Sequence, residues 1–494
     1  MSKKLPIFYS ALLLTAVNLL LRLAGTSFQV YLSSRIGAEG IGLLQLVLSV
    51  GSMALVAGTA GIRTATMYLT AEELGHRKPR NVIWVLSGSM LYSILASLVV
   101  ASGIFVFAPQ LAAFWIGDAE TTQALYLIAS LLPVNCLCGV MVGYFTGAGR
   151  IGTLAAVEVA EQLCSMVCTM MLLILWAGQN PHRACQAVIM GSGAGACLTL
   201  LCLAILRIRE RVPAAPRIPI ARRLGETAVP LAIADDLRTG ISTVENLMVP
   251  KRLALYPGVT SPLAAFGTVC GMVFPILMFP CAILFGLTEL LIPELARCNA
   301  AGSKKRISHL VQKSLRVALL YGTACGGVLF LTAESLCDAL YKNPDAGVYL
   351  KWFAPLATIL YCDCITDAMI KGLGQQKASV RYNIFTNVLD VAFLYILLPK
   401  CGILGYFLSF LVTHIINFGL SLQRLLRITG ERIPLHVPGL TITAAGLAIC
   451  LAGFVPQSVF RGLAYIIIFV CLLFLFQVLR KDDILWVKGL IYKK

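Results

Sequence analysis

The feature that most constrains this chain is its succession of long apolar stretches separated by short polar connectors. A helix needs about 20 consecutive apolar residues to cross the roughly 30 Å hydrocarbon core of a bilayer. A window of that length predicts about 14 transmembrane helices. No β-strand pattern lies between them. Their approximate bounds are 6–34, 41–69, 82–108, 121–147, 152–177, 184–207, 226–250, 262–293, 308–333, 347–371, 378–399, 402–426, 438–455 and 461–479.

Composition supports this interpretation, because only 13% of the residues are charged and 58% are hydrophobic. Mean hydropathy is +0.84, whereas soluble domains carry about 25% charged residues. The sequence therefore predicts an all-α polytopic membrane protein. The first apolar run has no clear cleavage site for a signal peptidase before Arg35, so we expect a retained first span.

The net charge of +17 comes mainly from Lys and Arg in alternate connectors, such as those at residues 76–80, 207–223 and 304–306. The intervening connectors hold few cations. By the positive-inside rule this asymmetry places both termini in the cytoplasm of a multi-pass protein. Because these cations do not form one solvated face, no nucleic-acid partner is expected.

An internal repeat appears at a constant offset along the chain. Gly286 follows Gly61 at the same distance in sequence as Gly372 follows Gly147. We therefore expect helices 1–6 and 7–12 to be two copies of one six-helix unit. Each copy has an even number of helices, which implies a parallel repeat about a pseudo-two-fold axis along the membrane normal. Helices 13 and 14 form an additional C-terminal pair.

The repeat predicts a division of the chain into four parts. An N-lobe with helices 1–6 occupies residues 1–207, and a basic cytoplasmic connector occupies residues 208–225. A C-lobe with helices 7–12 follows at residues 226–427. Helices 13–14 and a basic cytoplasmic tail complete the chain at residues 428–494. Two lobes that face each other across the midplane suit transport by alternating access.

Arginines stand inside apolar helices of both copies. Arg22 lies in the first helix and Arg238 in the seventh, and each is followed thirteen residues later by a second cation, Arg35 or Lys251. A charge at membrane depth costs at least a few kcal/mol, so it normally faces a bundle interior or a watery cavity and serves a function. The planar guanidinium matches phosphate geometry, which favours a phosphorylated or anionic cargo.

The predicted substrate-binding and translocation residues share a place in these helices and a polar side chain. They are Arg22, Gln29, Arg63, Asp235, Asp236, Arg238 and Glu245. The alternative interpretation is structural, with these charges pairing between the lobes and only holding the bundle together. Glu161 on helix 5, with Asp235 and Asp236, is a candidate for ion coupling.

No catalytic, metal or cofactor site is expected. The five histidines are dispersed, and neither a Walker phosphate loop nor a Gly-x-Ser-x-Gly elbow occurs. The Cys-x-Cys pairs at residues 136–138 and 362–364 lack the second pair that a zinc site needs. We therefore predict a protein that is not an enzyme.

Two segments carry a family resemblance. The first is Ile36–Leu43 (IGAEGIGL), which follows the Arg-bearing first helix, and the second is Gly61–Glu73 (GIRTATMYLTAEE). Together they resemble the stage V sporulation protein B branch of the polysaccharide and lipid-linked oligosaccharide flippases. These flippases are part of the multidrug/oligosaccharidyl-lipid/polysaccharide (MOP) exporter superfamily. The likeness extends over nearly the whole chain through the expected helix layout.

The resemblance implies a transporter in the bacterial inner membrane that flips an undecaprenyl-pyrophosphate-linked sugar to the outer leaflet. Such a sugar is a precursor of peptidoglycan or polysaccharide, used in spore cortex or cell-envelope synthesis. Arg22 and Gly25 match the start of the Arg-x-x-Gly-x-x-Arg-Asp pattern of the related lipid II flippases. Phe28 and Gln29 replace its Arg-Asp, which favours the sporulation or polysaccharide branch.

Two alternatives stay open at this point. A cation-coupled multidrug antiporter of the same superfamily would use Glu161, Asp235 or Asp236 as ion-binding carboxylates. A non-transporting envelope-assembly factor is the second alternative. The expected partners are a lipid-linked oligosaccharide, membrane lipid and, as a coupling ion, Na⁺ or H⁺.

Overall fold

A computed structural model describes residues 7–75, 79–178, 180–209, 220–431 and 436–479. Within these ranges the chain is built from helices, with no strand. Much of the expected basic connector, residues 210–219, and the basic tail from residue 480 onward lie outside the described residues. The predicted all-α architecture is confirmed.

Seventeen α-helices are described, and we number them in chain order. They are α1 (Ile7–Thr59), α2 (Ile62–Gly75), α3 (Val82–Gln110), α4 (Thr122–Gly147), α5 (Ile151–Leu172), α6 (Pro181–Ile208), α7 (Ala221–Leu253), α8 (Pro262–Thr268), α9 (Phe274–Met278), α10 (Cys281–Ala300), α11 (Lys304–Tyr341), α12 (Pro344–Phe353), α13 (Leu356–Gly372), α14 (Gln376–Cys401), α15 (Ile403–Thr429), α16 (His436–Ala452) and α17 (Ser458–Leu475). Single π-helical turns at Leu111–Ile116, Leu173–Ala177 and Val269–Val273 extend α3, extend α5 and join α8 to α9.

Among the described residues, eight helices are long and apolar enough to cross a membrane, or up to ten if each of two bent pairs counts as one span. The exact count of 14 is not confirmed. One reason is that α1 continues through two expected spans, interrupted only at Gly37, where φ is 71° and ψ is 178°. Another is that α7 matches the expected span 226–250 in position, but its charged residues make it too polar to be counted.

The helix contacts divide the chain into two compact units, and each is described separately. The first comprises Met1–Gly267 with Leu394–Gly402, and the second comprises Thr268–Phe393 with Ile403–Lys494. The first unit thus includes α7, which the sequence assigned to the C-lobe. The lobe boundaries at 207 and 226 stay a prediction.

In the first unit, α2 packs between α4 and α7 at close range. Gly61 immediately precedes α2 with φ of 71°, and a Cβ at this position would stand 2.4 Å from the carbonyl oxygen of Ala228 on α7. A Cβ at Gly143 on α4 would stand 2.3 Å from the carbonyl oxygen of Arg63. Only glycine permits both approaches. Ile62 and Phe145 are fully buried in the resulting core.

In the second unit, the C-terminal pair α16–α17 packs on α11. Tyr465 of α17 is fully buried, and its hydroxyl donates to the carbonyl oxygen of Thr323 at 3.1 Å. Its ring lies over Gly327, where a Cβ would stand 2.1 Å from the ring. This interface is completed by three fully buried alanines of α16, namely Ala444, Ala448 and Ala452. The helix pair α16–α17 is therefore packed firmly against α11 within the second unit.

The two copies of the repeat use the same helix contact. A Cβ at Gly147 would stand 2.5 Å from the carbonyl oxygen of Met67. In the second unit, a Cβ at Gly372 would stand 3.0 Å from the carbonyl oxygen of Ile292. Gly372 and Ile292 follow Gly147 and Met67 at one and the same offset in sequence. The next helices, α5 and α14, begin at that offset too. The two copies therefore agree at this contact, and the full six-helix repeat stays a prediction.

Candidate functional site

All seven predicted translocation residues lie in the first unit, on α1, α2 and α7. The second half of α1 packs along α7 through polar contacts. Thr243 donates to the carbonyl oxygen of Ser49 at 3.2 Å, and the Asn246 amide donates to the Ser49 hydroxyl at 3.0 Å. These bonds fix the polar stretch of α7 against α1.

Asp235 and Asp236 form a pair of adjacent carboxylates on α7. Asp235 is exposed and Asp236 is half-buried. The Oδ1 atom of Asp236 is shielded from solvent and accepts no hydrogen bond from the described residues. Tyr92 of α3 lies within electrostatic range of Asp236, and its hydroxyl is 3.4 Å from the carbonyl oxygen of Ala60. The structure thus places a phenol from α3 near the carboxylate pair.

Arg63 and Glu161 meet in a second group of charges, through Glu158. Glu158 lies within electrostatic range of both Arg63 on α2 and Glu161 on the same helix, α5. The Glu161 carboxylate accepts a hydrogen bond from Thr199 of α6 at 2.7 Å. This group of three charges links α2, α5 and α6. It supports a structural role for Arg63 and Glu161 alongside the predicted functional one.

The four remaining predicted residues, Arg22, Gln29, Arg238 and Glu245, differ in exposure and in the contacts that they make. Both arginines are exposed. Arg22, Gln29 and Glu245 each interact with neighbouring groups. For Arg238, in contrast, the described part of the chain provides no hydrogen bond or ion pair. An exposed guanidinium without such a partner is available to a ligand.

The glycines of the segment Ile36–Leu43 have a packing role. Gly37 breaks α1, and a Cβ at Gly42 would stand 2.3 Å from the carbonyl oxygen of Leu263. Reciprocally, a Cβ at Gly267 would stand 2.0 Å from the carbonyl oxygen of Ala38. This family-like segment therefore sets a close approach of α1 and α8 within the first unit.

The sequence analysis did not select the buried polar residues of the second unit. Asp390 on α14 is 6% exposed and accepts hydrogen bonds from Ser409 at 2.5 Å and Thr413 at 3.2 Å. Asp363 on α13 is 9% exposed and lies beside His414. The signal that could have identified them is the one applied to Arg22, an ionisable residue in an apolar helix.

The long apolar helices are those of a multi-pass membrane protein, and the fold is similar to that of solved transporters of the MOP superfamily. The structure matches the lipid II flippase MurJ in an inward closed conformation with a TM-score of 0.69 and 13% identity, over 96% of this chain and 100% of that one. It matches an inward-facing multidrug resistance MATE family transporter with a TM-score of 0.67 and 14% identity, over 85% of this chain and 100% of that one.

Sequence comparison identifies the chain as a homologue of Stage V sporulation protein B of Bacillus subtilis (strain 168). The two are 21% identical over 96% of each chain. The family described as Polysaccharide biosynthesis protein matches residues 8–218, and the MatE family matches residues 253–396. The predicted resemblance is confirmed. The solved structures that the chain resembles carry the names of a multidrug transporter and a lipid II flippase.

Proposed function

We propose that this protein flips an undecaprenyl-pyrophosphate-linked sugar across the bacterial inner membrane by alternating access. The cargo would be a peptidoglycan or polysaccharide precursor, used in spore cortex or cell-envelope synthesis. Both termini would lie in the cytoplasm.

One observation carries the choice of a flippase. The lipid II flippase structure is matched along 96% of this chain, whereas the multidrug transporter is matched along 85%, although each is itself covered over 100% of its length. The multidrug transporter thus leaves part of this chain without a counterpart. The full-length match to a sporulation protein supports the same choice.

The cargo-binding proposal rests most firmly on Arg238. Its side chain is exposed on α7, at the position of the expected span 226–250, and has no ion pair among the described residues. Inside a membrane this arrangement would be costly unless water or an anion solvates the guanidinium. A pyrophosphate supplies such an anion and accepts two parallel hydrogen bonds from the guanidinium. Arg22, the matching cation of the first copy, would bind the same group, with Gln29, Arg63, Asp235, Asp236 and Glu245 lining the route.

The principal competing function is cation-coupled drug antiport. The MatE family match and the likeness to MATE transporters favour it, and Asp235, Asp236 and Glu161 would then bind the ion. In a flippase the same carboxylates would couple Na⁺ or H⁺ to cargo movement. A non-transporting assembly factor is the third candidate. It differs from the flippase and the antiporter because it would transport neither lipid-linked sugar nor drug.

The test is flipping of an undecaprenyl-pyrophosphate-linked sugar in proteoliposomes, detected with a membrane-impermeant reagent. We expect the wild type to expose the outer-leaflet pool and Arg238→Lys or Arg22→Lys to slow it about tenfold, because loss of one bidentate contact removes about 1.4 kcal/mol. Arg222→Lys is the matched control, since Arg222 is an exposed arginine in the first turn of α7 that already pairs with Glu226. Wild-type vesicles that export a cationic drug but never expose the lipid-linked sugar would establish the antiporter instead.

A further inference from the structure

In the second unit, one oxygen atom of a buried carboxylate has no hydrogen-bond partner among the described residues. Asp363 on α13 is 9% exposed, and its Oδ2 atom accepts a hydrogen bond from the Asn417 amide at 2.8 Å. Its Oδ1 atom is shielded from solvent and has no hydrogen-bond partner among the described residues. Leaving one oxygen of a buried carboxylate unsatisfied is unfavourable, and such a group in a native fold calls for an explanation.

The imidazole of His414 on α15 lies beside this carboxylate and is also unsatisfied. Its Nδ1 atom is 3.8 Å from Oδ2 of Asp363, which is too long for a hydrogen bond. Nδ1 is shielded from solvent and has no partner among the described residues. Two complementary groups therefore face each other across a gap that a shift of about 1 Å would close to hydrogen-bond distance.

Asn417 restricts where a proton can bind. Its amide nitrogen donates to Asp363 Oδ2, while its amide oxygen is 3.4 Å from the donating hydroxyl of Thr386. Both contacts assign the amide the same way round, so Oδ2 must remain an acceptor. The open positions for a proton are therefore Oδ1 of Asp363 and Nδ1 of His414.

Aromatic rings surround the imidazole on α15. The ring centroid of Phe410 lies 4.2 Å from that of His414, and Phe274 packs on Phe410 at 5.1 Å. An aromatic face attracts a cation, and a low-dielectric setting strengthens the attraction between imidazolium and carboxylate. An imidazolium at His414 would therefore contact the ring of Phe410 on one side and face the Asp363 carboxylate on the other.

The other titratable and charged groups around the pair have defined partners or are thiols. Asp390 is bonded to Ser409 and Thr413, and Asp367 forms an ion pair with Lys371 at 2.6 Å. Cys362 and Cys364 flank Asp363 on α13 and lie within its electrostatic range. Among the described residues, no group of three metal-binding side chains occurs. Imidazole is also a poor ligand for Na⁺, because hard cations prefer oxygen.

We propose that His414 and Asp363 form a proton-binding pair, which takes up one proton between Nδ1 and the carboxylate. Proton uptake converts a neutral imidazole beside an anion into an imidazolium–carboxylate ion pair, which draws α13 and α15 together. Proton release restores the separated arrangement. The proposal rests on the proposed transport function in one respect, since it names H⁺ as the ion that this transporter couples to cargo movement.

The deciding experiment measures proton uptake by the purified full-length protein in nanodiscs, taken from about pH 8 to about pH 5, the range in which imidazole titrates. We expect His414→Gln and Asp363→Asn each to take up about one proton fewer per chain than the wild type, and the double variant to lose no more than either single one, because the pair shares one proton. The control is Asp338→Asn, which removes an exposed carboxylate of α11 and should leave uptake unchanged in this range.

Wild-type uptake by Asp363→Asn, or additive losses in the double variant, would overturn the pair. Each variant is first checked for a wild-type elution profile and unfolding midpoint, and His414→Asn replaces His414→Gln if the latter misfolds. A second arm applies a pH gradient to flipping vesicles, where His414→Gln should lose the acceleration that the gradient gives the wild type. Because the titration needs no cargo, a protein that titrates as expected but never flips lipid-linked sugar would refute the proposed function and retain the proton-binding pair.

Discussion

At the scale of single residues, the guanidinium of Arg223 illustrates how one side chain can connect two helices at the cytoplasmic end expected for α7. Its Nη1 atom is 2.7 Å from Oε1 of Glu73, and its Nη2 atom is 3.0 Å from Oε2 of Glu72. Glu73 is 4% exposed, and its second oxygen accepts a hydrogen bond from Asn81 at 2.8 Å. The Glu73 carboxylate is therefore fully engaged, and its removal would leave Arg223 and Asn81 with unmet hydrogen bonds.

We predict that Glu73→Gln lowers the free energy of unfolding by about 1–3 kcal/mol, because it removes the charge of a buried carboxylate that pairs with a partly exposed arginine. The matched control is Glu226→Gln, which breaks the exposed Arg222–Glu226 pair on the same helix and should cost less than about 1 kcal/mol. Unfolding midpoints in one detergent provide the comparison. Equal shifts for the two variants would show that burial adds nothing to the Arg223 pair.

At the scale of helices, small residues determine which elements approach each other. Within the first unit, Gly61, Gly143 and Gly147 let α2 reach backbone contact with α7 and α4. Within the second unit, Gly372 does the same between α13 and α10. Apolar side chains gain little from meeting each other when the alternative is lipid, so close backbone packing supplies much of the specificity.

These distances predict an order of effects for three substitutions to alanine. Gly147→Ala should destabilise the protein most, by about 1–3 kcal/mol, because the added Cβ would stand 2.5 Å from a backbone oxygen. Gly372→Ala, with its nearest atom at 3.0 Å, should cost less. Gly103→Ala on α3 meets nothing within 4 Å and should be neutral or stabilising by up to about 1 kcal/mol. Thermal unfolding of the three variants tests the order, and a destabilised Gly103→Ala protein would contradict it.

At the scale of the whole molecule, the sequence predicted what depends on pattern and missed what depends on contact. The constant offset between Gly147 and Gly372 was visible as a repeat because the same packing need recurs in both copies. The break at Gly37 was not placed, because the apolar run continues through it and only the backbone shows the turn. Asp363 and Asn417 are 54 residues apart and lie on two different helices. The hydrophobic periodicity of each helix does not reveal which of its residues faces which residue of the other helix.

Membrane orientation is the remaining property of the whole molecule that the sequence predicts, and three helices make it testable even though the total count is not confirmed. The spans Ala119–Gly147, Ile151–Ala177 and Pro181–Ile208 each have 27 to 29 residues and are apolar enough to cross. At 1.5 Å per residue each is roughly 40 Å long, which exceeds the hydrocarbon core. An odd number of crossings therefore separates Ala119 from Ala221.

We expect Ala119 to lie outside the cell and Ala221 to lie in the cytoplasm, because the cations gather in the connector that precedes α7. Both alanines are exposed, so single cysteines at these positions in a cysteine-free background form a matched pair. A membrane-impermeant maleimide added to intact cells should label Ala119→Cys and spare Ala221→Cys until the membrane is permeabilised. Labelling of Ala221→Cys alone in intact cells would invert the topology, and labelling of both or of neither would mean that these three helices do not all cross.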